Sequence, residues 1–126
     1  MMNISRELIR LLMEIAILNY DKGFVIESEI IFEAISYCRP KSAYPSIGMA
    51  CIQMQKGNLE NAIRILRSTS WQDYMQKELC DSYLGKALKL AGYNEEANAI
   101  LNNLIKNGKY EVAIKFARDL LSTNLK

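Results

Sequence analysis

Histidine is absent from this chain of 126 residues. That removes every imidazole-based triad and every zinc site built on imidazole. Cysteine occurs only at Cys38, Cys51 and Cys80, an odd number set far apart with no Cys-x-x-Cys. Buried reduced thiols are expected from that spacing, and a disulfide framework or a metal knuckle is not. A thiol with no histidine to activate it is a poor nucleophile, and no glycine-rich loop follows a strand. The chain is therefore expected to be no enzyme and to need no cofactor or metal. Proline is scarce, at two residues, and β-branched runs are short, so the expected class is all-α. The formal net charge is only +2. Its bases are scattered among acids, with no stripe of bases and aromatics that would track nucleic acid. A small basic excess near the end (Lys106, Lys109, Lys115, Arg118 and Lys126 against Glu111 and Asp119) reads as helix-end and solvent charge. Arg6, Glu7, Arg10 and Glu14 interrupt the first apolar pattern, where a secretory signal needs roughly 7–15 unbroken apolar residues. No charge-free run approaches the roughly 18 residues of a membrane span. A cytoplasmic protein is expected.

What is present is helical periodicity. Half of the residues are hydrophobic, enough for one domain with its own core. The stretch Ile47–Leu66 holds two helical patterns split by Lys56-Gly57-Asn58. The first is apolar almost all round and needs cover on more than one face. The second is one-sided, with Leu59, Ala62, Ile63 and Leu66 opposite Glu60, Asn61, Arg64 and Arg67. Cover for the first is expected from the rest of the chain on one face and from a partner on the other.

The pattern predicts seven helices. The first runs to about Asn19 after Asn3 or Ser5 as cap, the second spans Phe24 to about Cys38, and the third follows Pro45. The fourth ends near Ser68-Thr69-Ser70. The fifth runs to about Leu90, the sixth is capped by Asn94, and the seventh covers about Tyr110 to Leu121. Trp71 reads as core or interface cover, with core preferred.

The breaks recur. Gly23, Gly57 and Gly92 are 34 and 35 residues apart, the fifth residue after each is small (Ser28, Ala62, Ala97), and the fourth after that is large (Phe32, Leu66, Leu101). An apolar–small pair marks the first helix of each unit: Ile15-Ala16, Met49-Ala50, Leu84-Gly85. This period and pattern resemble the tetratricopeptide repeat over nearly the whole chain. The repeat's tryptophan is missing and only Pro40 keeps its proline. Gly108 repeats the glycine motif once more, which makes the seventh helix a cap on the end of the stack.

In such an array the first helices line a concave groove. The frame turns Arg10, Met13, Ile17 and Tyr20 inward from the first unit, and Tyr44, Ile47, Cys51 and Met54 from the second. From the third it turns Leu79, Ser82, Lys86 and Lys89 inward, a more polar wall. So apolar a lining suits an amphipathic helix laid in a groove. The competing arrangement is a seventh helix that folds back and fills it.

The segment from Arg39-Pro40 through Gly48-Met49-Ala50 and Met54–Leu66, followed by Cys80, Leu84–Leu88 and Gly92, is similar to small tetratricopeptide-like chaperones of bacterial type III secretion, the needle-subunit chaperones of the YscG and PscG kind. The resemblance implies a cytoplasmic chaperone. Its groove would grip the amphipathic helix of a needle subunit and prevent premature polymerisation, and a small helical co-chaperone would stabilise it. Met13, Ile17, Tyr20, Tyr44, Ile47, Cys51, Met54, Leu79 and Lys86 are the candidate partner-binding residues. A generic adaptor or translocator chaperone and a self-associating homodimer are the alternatives.

Overall fold

The computed structural model describes residues 5–123. Among them are seven helices and no strand: α1 (Arg6–Asp21), α2 (Val25–Cys38), α3 (Tyr44–Gln55), α4 (Leu59–Ser68), α5 (Tyr74–Leu90), α6 (Asn94–Asn107) and α7 (Glu111–Ser122). This is the all-α architecture expected, with three helical hairpins and a seventh helix. Asn3 and Lys126 lie outside the described residues.

Helix starts follow local chemistry only in part. The Ser5 hydroxyl accepts from the Leu8 N–H at 3.2 Å, and Asp73 does the same for Gln76 at 2.9 Å. Pro45 sits in the first turn of α3, where its missing N–H costs nothing. Asn94 is not a cap. It is the first residue of α6, and Tyr93 before it makes no side-chain capping bond.

The turn inside each hairpin explains why. Gly23, Gly57 and Gly92 have φ of 90°, 83° and 90°, the left-handed region open to glycine. The next residues, Phe24, Asn58 and Tyr93, donate N–H bonds of 2.8–2.9 Å to the carbonyls of Asn19, Gln53 and Leu88. This is one Schellman turn used three times. It also fixes Phe24, Asn58 and Tyr93 near φ −85°, ψ 65° at the start of the next helix. Gly108 departs from the series with φ −66°. A Cβ there would lie 2.4 Å from the Leu104 carbonyl, so close approach is what demands glycine at that position.

The small and large positions of the repeat meet in the core. Ser28, Ala62 and Ala97 are fully buried, as are Ala16 and Ala50. Gly85 admits Leu101 so closely that a Cβ would sit 2.5 Å from its side chain. Ser28 donates its hydroxyl to the Ala16 carbonyl at 2.7 Å, tying α2 to α1. Within the hairpins α1 packs on α2, α3 on α4 and α5 on α6. Between units α2 packs on α3, α4 on α5 and α6 on α7. The odd-numbered helices also touch in sequence, α1 with α3, α3 with α5 and α5 with α7. The seventh helix thus stands where the first helix of a fourth unit would stand.

Neighbours within the chain cover α3 more completely than expected, because α1, α2, α4 and α5 all pack on it. Trp71 is not core. It is 43% exposed and packs its ring against Tyr74 at 5.6 Å.

Candidate functional site

Only the odd-numbered helices line the groove. Its first part is a cavity of about 180 Å³ bounded by Arg10, Met13, Ile17, Tyr44, Ile47, Leu79, Tyr83 and Val112, among others. The second, of about 370 Å³, is bounded by Ile17, Tyr20, Cys51, Met54, Tyr83, Lys86 and Phe116 with their neighbours. Ile17 and Tyr83 belong to both, so the two are continuous. A more polar depression of about 290 Å³ extends the first past Arg10, Tyr44 and Met75 toward Arg6, Arg39 and Asp73.

The nine candidate residues divide by depth. Ile17, Tyr44, Cys51, Met54, Leu79 and Lys86 are half-buried wall residues. Met13, Tyr20 and Ile47 are floor residues, buried to 5%, 7% and 1% exposure. Ile47 was expected to face an open groove and point away from the core. Instead it packs in one core cluster with Ala50, Ala62, Leu84 and Leu88, which brings together α3, α4 and α5. Tyr20 is also a structural residue: its hydroxyl donates to the Cys51 carbonyl at 2.9 Å and joins α1 to α3.

The third unit's wall differs from the expected one. Leu79, Tyr83, Lys86 and Leu90 face the groove. Ser82 is fully buried and donates back to the Leu79 carbonyl at 2.7 Å. Lys89 reaches away to donate to the Leu120 carbonyl at 2.8 Å. The rotation of α5 therefore replaces an expected serine and lysine with tyrosine and leucine, and the wall is more apolar than expected. Tyr83, Met75, Leu90, Val112 and Phe116 are the lining residues that sequence reasoning missed. The i, i+4, i+7, i+11 run Leu79, Tyr83, Lys86, Leu90 was the available signal.

The seventh helix does not fill the groove. It packs on α5 and α6 and supplies one wall, with Phe116 against Tyr83 at 4.9 Å between ring centres.

Burial makes the phenols and the thiol of the lining weaker acids. It pushes the Tyr20, Tyr83 and Cys51 protons up to about 12, and raises that of Tyr44 as well. Formal charges stand among these residues, Arg10 and Glu14 in the first part and Asp21 and Lys86 in the second. The arrangement offers a mostly apolar lining with a few charges among it, suited to one face of an amphipathic helix. Among the described residues no cluster of acids and cysteines could hold a metal ion, and no helix is long and apolar enough to cross a membrane. Cys38, Cys51 and Cys80 are free thiols. No family model, curated protein or solved structure matches the chain.

Proposed function

We propose that this chain is a cytoplasmic bacterial chaperone of the type III secretion kind. Its concave groove holds an amphipathic helix of a needle subunit and keeps that subunit from polymerising, and a small helical co-chaperone assists it. The observation that supports this reading is a continuous groove, walled by four helices, whose lining is mostly apolar. An incoming apolar stripe would be desolvated against Ile17, Tyr44, Cys51, Met54, Leu79 and Tyr83. Each well-seated anchor contributes on the order of 1.5–3 kcal/mol before the partner's ordering cost.

Half-buried wall residues make the test, because floor residues hold the fold. Met54→Asp and Leu79→Asp are each expected to weaken binding of a purified needle subunit by at least about tenfold, roughly 1.4 kcal/mol. Their circular dichroism should match the parent chain. Glu60→Ala, on the exposed face of α4, should bind normally. Parent-like affinity in both aspartate variants, measured by titration calorimetry, rejects the groove as the binding site.

A further inference from the structure

The polar depression beyond Arg10 and Tyr44 is lined by donors that the fold itself does not use. Gln76 stands in the first turn of α5 and is 5% exposed. Its carboxamide oxygen accepts the N–H groups of Ala43 at 3.0 Å and Gln72 at 2.9 Å. Two bonds to one oxygen fix which way the amide points. The NH2 group has no partner among the described residues, yet no buried side-chain polar atom there lacks one. It is therefore open to the cavity that Gln76 lines. Ser42, also buried, lines the same cavity. Its oxygen accepts the Tyr44 N–H at 3.2 Å, and its own proton goes to no described residue. A buried donor without an acceptor is costly, so a cavity that holds two of them is shaped for an acceptor from outside.

Charge narrows what that acceptor is. Arg6 and Arg10 stand one turn apart on α1, and Arg39 follows α2. Two acids share the lining, Glu7 and Asp73. Asp73 is engaged twice, accepting the Gln76 backbone N–H at 2.9 Å and pairing with Arg6 at 3.8 Å. Arg10 makes no ion pair among the described residues. Three arginines against two acids leave the lining with a formal charge of +1. One negative charge balances it, and a dianion would overshoot. Amide and hydroxyl donors beside a guanidinium suit the planar oxygens of a carboxylate.

We propose that this depression binds a single carboxylate, held by the Gln76 NH2 group and the Ser42 hydroxyl with Arg10 as its counter-charge. These three residues come from α5, the connection after α2, and α1, so a bound carboxylate joins the first unit to the third. Its source is an acidic side chain of a polypeptide in the adjoining groove or a free small acid, and the recognition is the same. The inference does not depend on what lies along the apolar part of the groove.

The probe is N-acetylglutamate α-amide, which carries one side-chain carboxylate, with N-acetylglutamine α-amide and sulfate as controls. Each is titrated into the full chain, and NMR follows the Gln76 side-chain NH2 and the Arg10 Nε–H. The glutamate probe is expected to shift both signals saturably and to bind at least about fivefold tighter than either control. Arg10→Gln, at an exposed position, should weaken it at least about fivefold, read at Gln76. Gln76→Glu keeps an acceptor for Ala43 and Gln72 but replaces the donor with a second anion, and should abolish the response read at Arg10. Should that variant not fold, Arg10→Gln decides alone. Absent or unsaturable shifts, an equal response to a control, or parent-like binding in Arg10→Gln overturns the proposal. Two leucine-stripe peptides, one ending in glutamate and one in glutamine, then separate the sources. A preference of at least about tenfold for glutamate, lost in Arg10→Gln, supports the site and assigns the carboxylate to a polypeptide. Equal peptide binding beside a retained probe response supports the site and assigns it to a free acid.

Discussion

The two ends of the helical stack are built differently. At the α7 end, Ala113, Ala117 and Leu120 are buried, and Ala117 and Leu120 share a core cluster with Leu101 and Leu104. Both termini of α7 are also tied to α5. The buried Glu78 carboxylate accepts the N–H groups of Lys109 and Tyr110 at 2.9 and 3.0 Å, and Lys89 donates to the Leu120 carbonyl. At the α1 end a seam of four large apolar residues faces outward, and the ion pair from this helix, Arg6 with Asp73 at 3.8 Å, is largely exposed. A repeat array has an apolar face at each end of its stack, because every unit is shaped to receive a neighbour. Here one end is closed by the chain's own helix. The other keeps the apolar pattern of an internal unit without, among the described residues, an internal unit's neighbour.

The sharpest way to break this comparison is one substitution at one repeat position in two units. Ile52→Asp should destabilise by more than about 4 kcal/mol, since a carboxylate there is buried with no partner, whereas Leu18→Asp should stay within about 0.5 kcal/mol. Chemical denaturation followed by circular dichroism measures both, and similar losses would show that α1 is covered after all.

Loosening the closed end should have a middling effect. Glu78→Ala leaves two backbone N–H groups without their acceptor and should cost about 1–3 kcal/mol. Hydrogen exchange is expected to rise in α7 before the rest of the chain opens. Uniform opening of all helices would mean that α7 is not a separable cap.

The smallest effect concerns Cys80, the third unit's counterpart of Leu11. Burial, with Asp81 adding to it, raises its thiol from an ordinary 9.0 to about 11. The folded chain thus holds a proton that the unfolded chain releases. Its contribution to stability is complete below about pH 9 and is lost as pH climbs through about 11. Melting temperature should therefore fall over that interval, with a shallower slope in Cys80→Ala. Iodoacetamide at pH 8.5 should modify an engineered Leu11→Cys readily and Cys80 slowly. Equal alkylation would erase the contrast between the two units.

Much of the fold was legible because each hairpin repeats a local rule. A glycine that closes a Schellman turn, a small residue five positions later and a large one four beyond that are written into the chain at Gly23, Gly57 and Gly92. The groove was legible in its helices and less so in its residues. Spacing placed Ile17, Cys51, Met54 and Leu79 on the correct side, yet did not separate floor from wall. Ile47 looks like Leu79 in sequence, and only the packing of α3, α4 and α5 into one cluster buries it. Asn94 as a cap failed because the glycine turn fixes one local geometry at Phe24, Asn58 and Tyr93 whatever their side chains.

The sequence by itself determined the helical class, the seven-helix count, the period and the mostly apolar character of the groove lining. These follow from local backbone preference and from the 3.6-residue spacing of apolar side chains. Only the tertiary structure decided the rotation of α5, which put Tyr83 and Leu90 in the groove and withdrew Ser82 and Lys89. It also decided which apolar stripe became core and which stayed open. A heptad of leucines reads alike wherever it lies in the chain, and its fate depends on whether another helix stands beside it.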